Sequence, residues 1–485
     1  MSNRYLDARN LNCRPDRLEE ACGVFGIYAS GEEDLARLTY FGLYALQHRG
    51  QESAGMAVSD GSNVLVFKDM GLVPQVFNEK ILSTLTGKIA IGHTRYSTTG
   101  STHWENAQPI HKTYKHGTLA LAHNGNLVNS AELRKMLTQN GNKFRSTSDS
   151  EIIAGLIANF SDENIEGGIK KTVKLLKGAY AVTVVTEEKL IGFRDSYGIR
   201  PLSLGKLGDN YVISSETCGF DIIGAEFLRD IEPGEMVIID EKGLHSEKIV
   251  SKTQPSLCIF EFVYFARPDS YLYGKPLHNA RNEMGRMLAK EHPADADLVI
   301  PVPDSGTSAA VGYAQSSGVP FGEGMIKNRY VGRTFIQPAQ SIRQMGVKMK
   351  LNPLKEIIKG KRLVVVDDSI VRGTTSKQIV NMLKEAGAKE VHMRISSPPV
   401  GYPCFYGIDT AEKEELIASR MGVDETRDFI NADSLGYLSL EGLVASSGKA
   451  QGMFCTACFD GVYPIKLSKT CKLNKEMLET PVNSK

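Results

Sequence analysis

Residues 362–376 read Arg362-Leu-Val-Val-Val-Asp-Asp-Ser-Ile-Val-Arg-Gly-Thr-Thr-Ser376. A short β-branched run at 364–366 ends in two adjacent carboxylates, Asp367 and Asp368. A turn rich in Gly and Thr follows, and a helical pattern begins at Lys377. Strand, loop and helix N-terminus in this order make a phosphate site of an α/β sheet. Gly373 lets the backbone approach an anion, and the hydroxyls and amides of Thr374, Thr375 and Ser376 can donate to its oxygens. Two carboxylates cannot face the same phosphate without repulsion; they suit polyol hydroxyls or a hard cation. The stretch therefore asks for a sugar phosphate carrying a diol. It does not follow the Gly-x4-Gly-Lys-Ser/Thr pattern of a nucleotide triphosphatase.

On these residues the stretch closely resembles the phosphoribosyl pyrophosphate (PRPP) signature of type I phosphoribosyltransferases. The resemblance implies that Asp367 and Asp368 hold the ribose hydroxyls and Mg2+. It also implies that Arg372, Gly373, Thr374, Thr375 and Ser376 hold the 5-phosphate. Around the stretch, helical patterns at 277–291 and 308–316 alternate with apolar strands at 297–302 and 390–395, which argues for a doubly wound parallel sheet. Pro301-Val-Pro-Asp304-Ser305-Gly306-Thr307 follows its strand as the acid pair follows Val366, so both loops should share one crevice. Asp304, Ser305 and Gly306 form the expected pyrophosphate loop, and the family resemblance makes Ser305 a metal contact. Between the two loops, Lys327, Arg329, Arg333, Arg343, Lys348 and Lys350 make a basic stretch with Gly332 and Gly346 among them. A flap that closes on PRPP and excludes water fits that composition beside a pyrophosphate site.

Upstream, a composition break at about 247–256 reads as a linker, and the preceding half has a different character. It begins at Cys22-Gly-Val-Phe-Gly-Ile-Tyr and alternates short β runs, at 54–58, 88–93, 118–123, 180–185, 190–193 and 211–215, with helical patterns at 34–47, 150–159 and 168–176. Meander-like strand pairs argue for antiparallel sheets with helices on the outer faces. Four polar islands sit at strand ends: His48-Arg49-Gly50-Gln51-Glu52-Ser53, Gly92-His93-Thr94-Arg95-Tyr96-Ser97, His123-Asn124-Gly125-Asn126 and Ser148-Asp149-Ser150-Glu151. The spacing of His48, His93 and His123 fits no metal-ligand template.

With the Cys-Gly start and Arg194-Asp195-x-x-Gly198-x-Arg200-Pro201-Leu202, these islands closely resemble the class II glutamine amidotransferase domain, an N-terminal-nucleophile hydrolase with an αββα sandwich. The chemistry suits the residue types. A thiolate nucleophile needs a base, and a Cys22 that has become the first residue carries one in its own α-amine, of reference pKa near 8. By resemblance, Asn124 and the Gly125 amide stabilise the oxyanion, Arg95 pairs with the glutamine α-carboxylate, and Asp149 holds the α-ammonium. The assignment requires removal of residues 1–21, a segment with four Arg, four acidic residues and no apolar run. It is neither a secretory signal nor a transit peptide.

The composition sets outer bounds. A chain of 485 residues exceeds one core, and two domains of roughly 200–250 residues are expected. The expected division is 1–21 leader, 22–252 glutaminase, 253–465 phosphoribosyltransferase and 466–485 tail. Net charge of +1 gives no reason to expect nucleic acid as a partner, and no apolar run approaches the roughly 20 residues of a bilayer helix. Eight cysteines in so long a chain do not make a disulfide scaffold, so a reducing, cytoplasmic setting is expected. Cys455-Thr-Ala-Cys458, with Cys258 and Cys404, can complete a four-thiolate site for zinc or a [4Fe–4S] cluster, between which spacing cannot choose. Cys13, Cys218 and Cys471 have no role in this reading.

The two halves together resemble the PRPP amidotransferase family over nearly all of 22–465. The four cysteines match its iron–sulfur branch, which also carries a cleaved leader, and this favours a structural cluster over zinc. The resemblance implies that glutamine, PRPP and water give 5-phosphoribosylamine, glutamate and pyrophosphate, the first committed step of purine synthesis. Ammonia would cross from Cys22 to the PRPP site inside the protein. It further implies feedback by AMP, GMP, ADP and GDP and a homotetramer. Glucosamine-6-phosphate synthase, asparagine synthetase and glutamate synthase share the first half, and residues 362–376 argue against all three. A PRPP-sensing regulator with a vestigial glutaminase domain is the alternative, and the intact Cys22, Arg95, Asn124 and Asp149 set argues against it.

Overall fold

The computed structural model describes residues 22–29, 31, 34–96, 103–328, 350–409 and 412–466. The leader with Cys13, residues 329–349 of the basic stretch, and the tail with Cys471 lie outside the described residues. In the first half the strands are β1 (Gly23–Tyr28), β2 (Ser53–Ser59), β3 (Val64–Met70), β4 (Ile89–Arg95), β5 (Ile110–Tyr114), β6 (Gly117–Leu127) and β7 (Gly178–Val185). They continue with β8 (Leu190–Arg194), β9 (Ser203–Leu207), β10 (Asn210–Ser214), β11 (Glu226–Asp230), β12 (Glu235–Asp240) and β13 (Gly243–Lys248). Helices α1 (Leu35–Ala45), α2 (Ser130–Gln139), α3 (Asp149–Phe160) and α4 (Ile165–Val173) lie between them.

Two antiparallel sheets result, ordered β11-β9-β10-β1-β4-β2-β3 and β13-β12-β8-β7-β6-β5. Small and branched side chains let them close on each other: Val24, Ala57, Ile91, Ala120, Ala122 and Ala181 share the inter-sheet layer. Strand alternation sends the neighbouring residues outward to helices. Phe25 and Ile27 meet Leu35 and Leu43 of α1, while Leu119, Leu121 and Val182 meet Ile153 of α3 and Ile169 of α4. This is the αββα order expected from the sequence.

The second half contains α5 (Leu277–Glu291), β14 (Leu298–Pro301), α6 (Thr307–Ser317), β15 (Arg362–Asp367), α7 (Thr374–Glu385), β16 (Glu390–Ile395), α8 (Val423–Ile430), β17 (Ser434–Tyr437) and α9 (Leu440–Ser447). Its four strands pair in parallel in the order β14-β15-β16-β17. Val364 and Val366 face Met284 and Tyr313 on one side of the sheet, and Leu363 and Val365 face Ile379 and Leu383 on the other. With helices on both faces the sheet is doubly wound.

Three differences from the sequence reading have physical causes. Helix α7 starts at Thr374 rather than Lys377, because Gly373 caps it at φ 80° and the hydroxyl run already lies in its first turn. Helix α2 escaped notice because its buried apolar residues are only Leu133 and Leu137. The presumed linker is part strand: β13 runs to Lys248, and beyond it the Gln254 and Ser256 amides donate to Ser196 O and Tyr197 O at 3.0 and 2.8 Å. The core is also continuous across the halves, with Val128, Ala179 and Ile199 packed among Phe260, Phe262 and Tyr406.

Candidate active sites

Cys22 stands at the mouth of β1, where register places Gly23 opposite Thr94 and so brings the thiol to the Arg95 end of β4. It is buried, and its Sγ donates to Tyr96 O at 3.3 Å. Burial pushes the thiol up to about 12, opposed by Arg95 and Arg200 and reinforced by Glu52 and Asp149. A thiol so placed stays protonated at neutral pH and needs a base to become nucleophilic.

The other expected residues of this pocket gather at the same sheet ends. Arg95 is buried, with Glu52 at 3.4 Å from its guanidinium. Asp149 opens α3; its Oδ2 accepts from the Leu127 amide at 2.9 Å and its Oδ1 lies 3.7 Å from His123 Nδ1. Burial raises its pKa, but His123 and the Leu127 amide outweigh that and hold it below the ordinary carboxylate range. Asn124 is fully buried on β6, and among the described residues neither polar atom of its side chain has a partner. An orphaned amide of this kind is costly unless a ligand completes it. Gly125 follows at φ 145°. His93 and His123 serve backbone and hydroxyl groups: His93 Nε2 pairs with His123 O at 3.0 Å, and His123 Nδ1 with Ser150 Oγ at 3.2 Å.

In the second half, Asp367 and Asp368 end β15 as expected and are buried to 5% and 4% exposure. The Asp368 amide donates to Asp367 Oδ1 at 2.9 Å, and Ser305 Oγ reaches the same oxygen at 3.4 Å. The two loops therefore do share one crevice, beyond the carboxyl ends of adjacent parallel strands. Gly306 fits because a Cβ there would come within 2.2 Å of Val366 O. Thr374, Thr375 and Ser376 form the first turn of α7, and a helix N-terminus suits an anion. Two side chains are engaged elsewhere: Asp304 pairs with Lys327 at 2.6 Å and Arg372 with Glu415 at 2.6 Å. Among the described residues no group of three or more His, Cys, Asp or Glu is arranged to hold a metal ion. A cation at the acid pair would need oxygens from the substrate, the usual habit of Mg2+.

The four cysteines, all among the described residues, are neighbours without being arranged as a metal site. Leu257–Cys258 and Phe454–Cys455 form a two-residue parallel ladder that sets Cys258 opposite Cys455. Cys458 O accepts from the amides of Gly401 and Tyr402, and the Tyr406 amide donates to Cys404 Sγ at 3.3 Å. None of the four forms a disulfide. Burial raises the thiols of Cys258, Cys455 and Cys458; Cys404 pushes all three further up, Cys258 adds to Cys455 and Cys458, and Cys455 to Cys458. Cys218 sits apart, its Sγ directed to Ala45 O and Glu216.

Sequence reading missed the residues that join the halves. Glu261 is fully buried, and its carboxylate takes Arg49 and Arg200 of the first half. Arg49 also pairs with Glu216, which accepts from His48 Nε2 and from Ser270 Oγ, both at 2.7 Å. The available signal was a lone carboxylate inside the run Ile259-Phe-Glu-Phe-Val-Tyr-Phe265, since a charge there must be paired.

Comparison with known proteins agrees with both halves. The glutamine amidotransferase domain family matches residues 93–221, and the phosphoribosyl transferase domain family matches residues 277–396. An amidophosphoribosyltransferase of Synechococcus elongatus is 56% identical over 473 residues, covering 96% of each chain. That of Bacillus subtilis is 50% identical over 455 residues, covering 93% of this chain and 95% of its own. The solved glutamine PRPP amidotransferase of B. subtilis complexed with ADP and GMP superposes with a TM-score of 0.88 at 49% identity, over 93% of this chain and 99% of its own. Likeness of this extent means that the chain belongs to the amidophosphoribosyltransferase family.

Proposed function

We infer that this chain makes 5-phosphoribosylamine and pyrophosphate from glutamine, PRPP and water, releasing glutamate, as the entry to purine synthesis. The observation that carries the reading is a buried Cys22 among Arg95, Asp149 and Arg200, in a chain whose second half ends a parallel strand in Asp367 and Asp368. Residues 22–252 act as the glutaminase domain and 253–465 as the phosphoribosyltransferase domain.

Loss of residues 1–21 frees the Cys22 α-amine, which accepts the thiol proton. Sγ attacks the glutamine amide carbon while Arg95 holds the α-carboxylate and Asp149 the α-ammonium. The Asn124 side chain and Gly125 amide take the oxyanion, ammonia leaves with a proton, and water hydrolyses the thioester to glutamate. Ammonia crosses to C1 of PRPP, forms the C–N bond and displaces pyrophosphate. Free ammonia at neutral pH is almost wholly protonated, so transfer within the protein keeps it nucleophilic. At the second site, Asp367 and Asp368 bind the ribose diol, Gly373 to Ser376 the 5-phosphate, and Asp304, Ser305 and Gly306 the pyrophosphate. Ser305, Asp367 and Asp368 would hold Mg2+ with PRPP oxygens, and the ion would offset charge on the leaving pyrophosphate.

Cys258, Cys404, Cys455 and Cys458 would hold a structural [4Fe–4S] cluster. Four neighbouring cysteines outside any disulfide support a four-thiolate site, and the family resemblance favours the cluster over zinc. AMP and GMP compete at the phosphate loop, ADP and GDP are further inhibitors, and the chain works as a cytoplasmic homotetramer.

The test is glutamate release by anaerobically purified protein with and without PRPP and Mg2+, with pyrophosphate counted in parallel. One pyrophosphate per glutamate supports the coupled transferase; release indifferent to PRPP, with no pyrophosphate, overturns the second half. Iron, sulfide and zinc analysis and the N-terminal residue by mass spectrometry decide the cluster and the leader.

A further inference from the structure

The Cys404–Gly407 segment belongs to the second half, yet three consecutive residues of it touch the glutaminase half. Phe405 O accepts from Asn126 Nδ2 at 3.0 Å, and Tyr406 O accepts from Arg200 Nε at 3.0 Å. Gly407, at φ 100°, lies against Gly125 itself: a Cβ on Gly407 would stand 2.9 Å from both Cα and C of Gly125 and 3.1 Å from its O. The Gly407 contact is backbone against backbone, so no side chain can rotate away there to make room.

Gly125 is confined from a second direction as well. A Cβ on Gly125 would come within 2.0 Å of Ala179 O on β7. The ladder of β6 with β7 continues through Gly125, opposite Tyr180, to Leu127, whereas that with β5 stops at Leu121. Beyond Leu121 the strand has lost one sheet neighbour, and the direction of the Gly125 amide is no longer fixed from both edges by β pairing. The 405–407 segment supplies a constraint where the sheet supplies none.

We propose that Gly407 and Asn126 are positioning residues for glutamine hydrolysis, through which the phosphoribosyltransferase half fixes the aim of the Gly125 amide. The inference rests on the reading of Asn124 and Gly125 as the oxyanion hole. An amide that acts only on the tetrahedral intermediate governs kcat and leaves ground-state glutamine binding alone. Displacing it by a fraction of an ångström weakens a bond that counts only in the transition state.

The test is Gly407→Ala in the full-length protein, with Asn126→Ala as the milder second variant. Glutaminase kcat is expected to fall about 10²-fold in Gly407→Ala and about tenfold in Asn126→Ala, with KM for glutamine within about twofold of the parent. Phosphoribosylamine formation from PRPP and added ammonia, and metal content per chain, are expected to stay at parental levels in both. Parental glutaminase in both variants overturns the inference, as does equal loss of the ammonia-dependent and glutamine-dependent reactions in Asn126→Ala. If Gly407→Ala does not fold, the kcat and KM of Asn126→Ala decide alone. Asn124→Ala run beside them separates the two readings: parental activity there overturns the oxyanion assignment itself. Collapse there with parental activity in Gly407→Ala and Asn126→Ala overturns the brace alone.

Discussion

Arg200 Nη1 donates to Glu261 Oε1 at 3.1 Å with both side chains fully buried, joining the two halves by a charge pair shielded from water. Glu261 answers two guanidiniums at once, since Arg49 also donates to it. Removing the carboxylate leaves two buried positive charges facing each other, and breaking such a pair from one side costs about 3–5 kcal/mol. Glu261→Ala is therefore expected to lower the denaturation midpoint sharply. A midpoint equal to that of the parent would show that the pair does not lock the halves.

On the proposed mechanism, Asn124→Ala removes one oxyanion donor. Glutaminase kcat is expected to drop by about 10²–10³-fold, with KM for glutamine little changed. Because the second site is untouched, synthesis from PRPP and ammonia should persist. Loss of both reactions together would point to damage beyond the pocket.

Asp367→Asn keeps the shape of the acid pair and removes one charge. Ser305 Oγ at 3.4 Å and the Asp368 amide at 2.9 Å can still reach the amide oxygen, so the loops should stay in place. Ribosyl transfer is expected to vanish while basal glutamate release continues. Parental phosphoribosylamine formation would sink the assignment of the pair.

His93 is fully buried, and burial pulls its imidazole from the ordinary value of 6.5 down to about 3. The unfolded chain takes up this proton near pH 6.5, while the folded chain refuses it until about pH 3. Stability from this group is present in full above pH 6.5 and is lost as pH falls toward 3, at roughly 1.4 kcal/mol per pH unit. His93→Gln is expected to flatten the unfolding free energy between those limits in denaturant titrations. An unchanged slope would locate the acid sensitivity elsewhere.

What could be read in the sequence was what is local. The acid pair, its strand and its Gly-Thr turn lie within fifteen consecutive residues, and the strand alternation that buries Val364 and Val366 on one face is set by neighbours. Arg95, Asn124 and Asp149 are scattered, yet each sits in a polar island at a strand end or turn, and Cys22 opens an apolar run. The joint between the halves had no such mark. Glu261 finds its partners 61 and 212 residues away, and Phe405 O finds Asn126 at a separation of 279. Edge strands such as β13, mostly exposed, lack the alternation that a half-buried strand displays.

The small ladder of Leu257–Cys258 beside Phe454–Cys455 clasps the beginning of the second half to its last described segment. On the ribosome the first half is complete, strand and helix alike, by the time Cys258 emerges. The partner of Cys258 follows only after roughly two hundred further residues, a span whose closure costs little more entropy than a shorter one. Tyr406 and Phe454, which share a core with Phe260, Phe262 and Phe265, are also made late in that interval. Birth order thus leaves this apolar run with part of its cover missing until the last described segment is made, and exposed apolar surface of this kind is what chaperones bind.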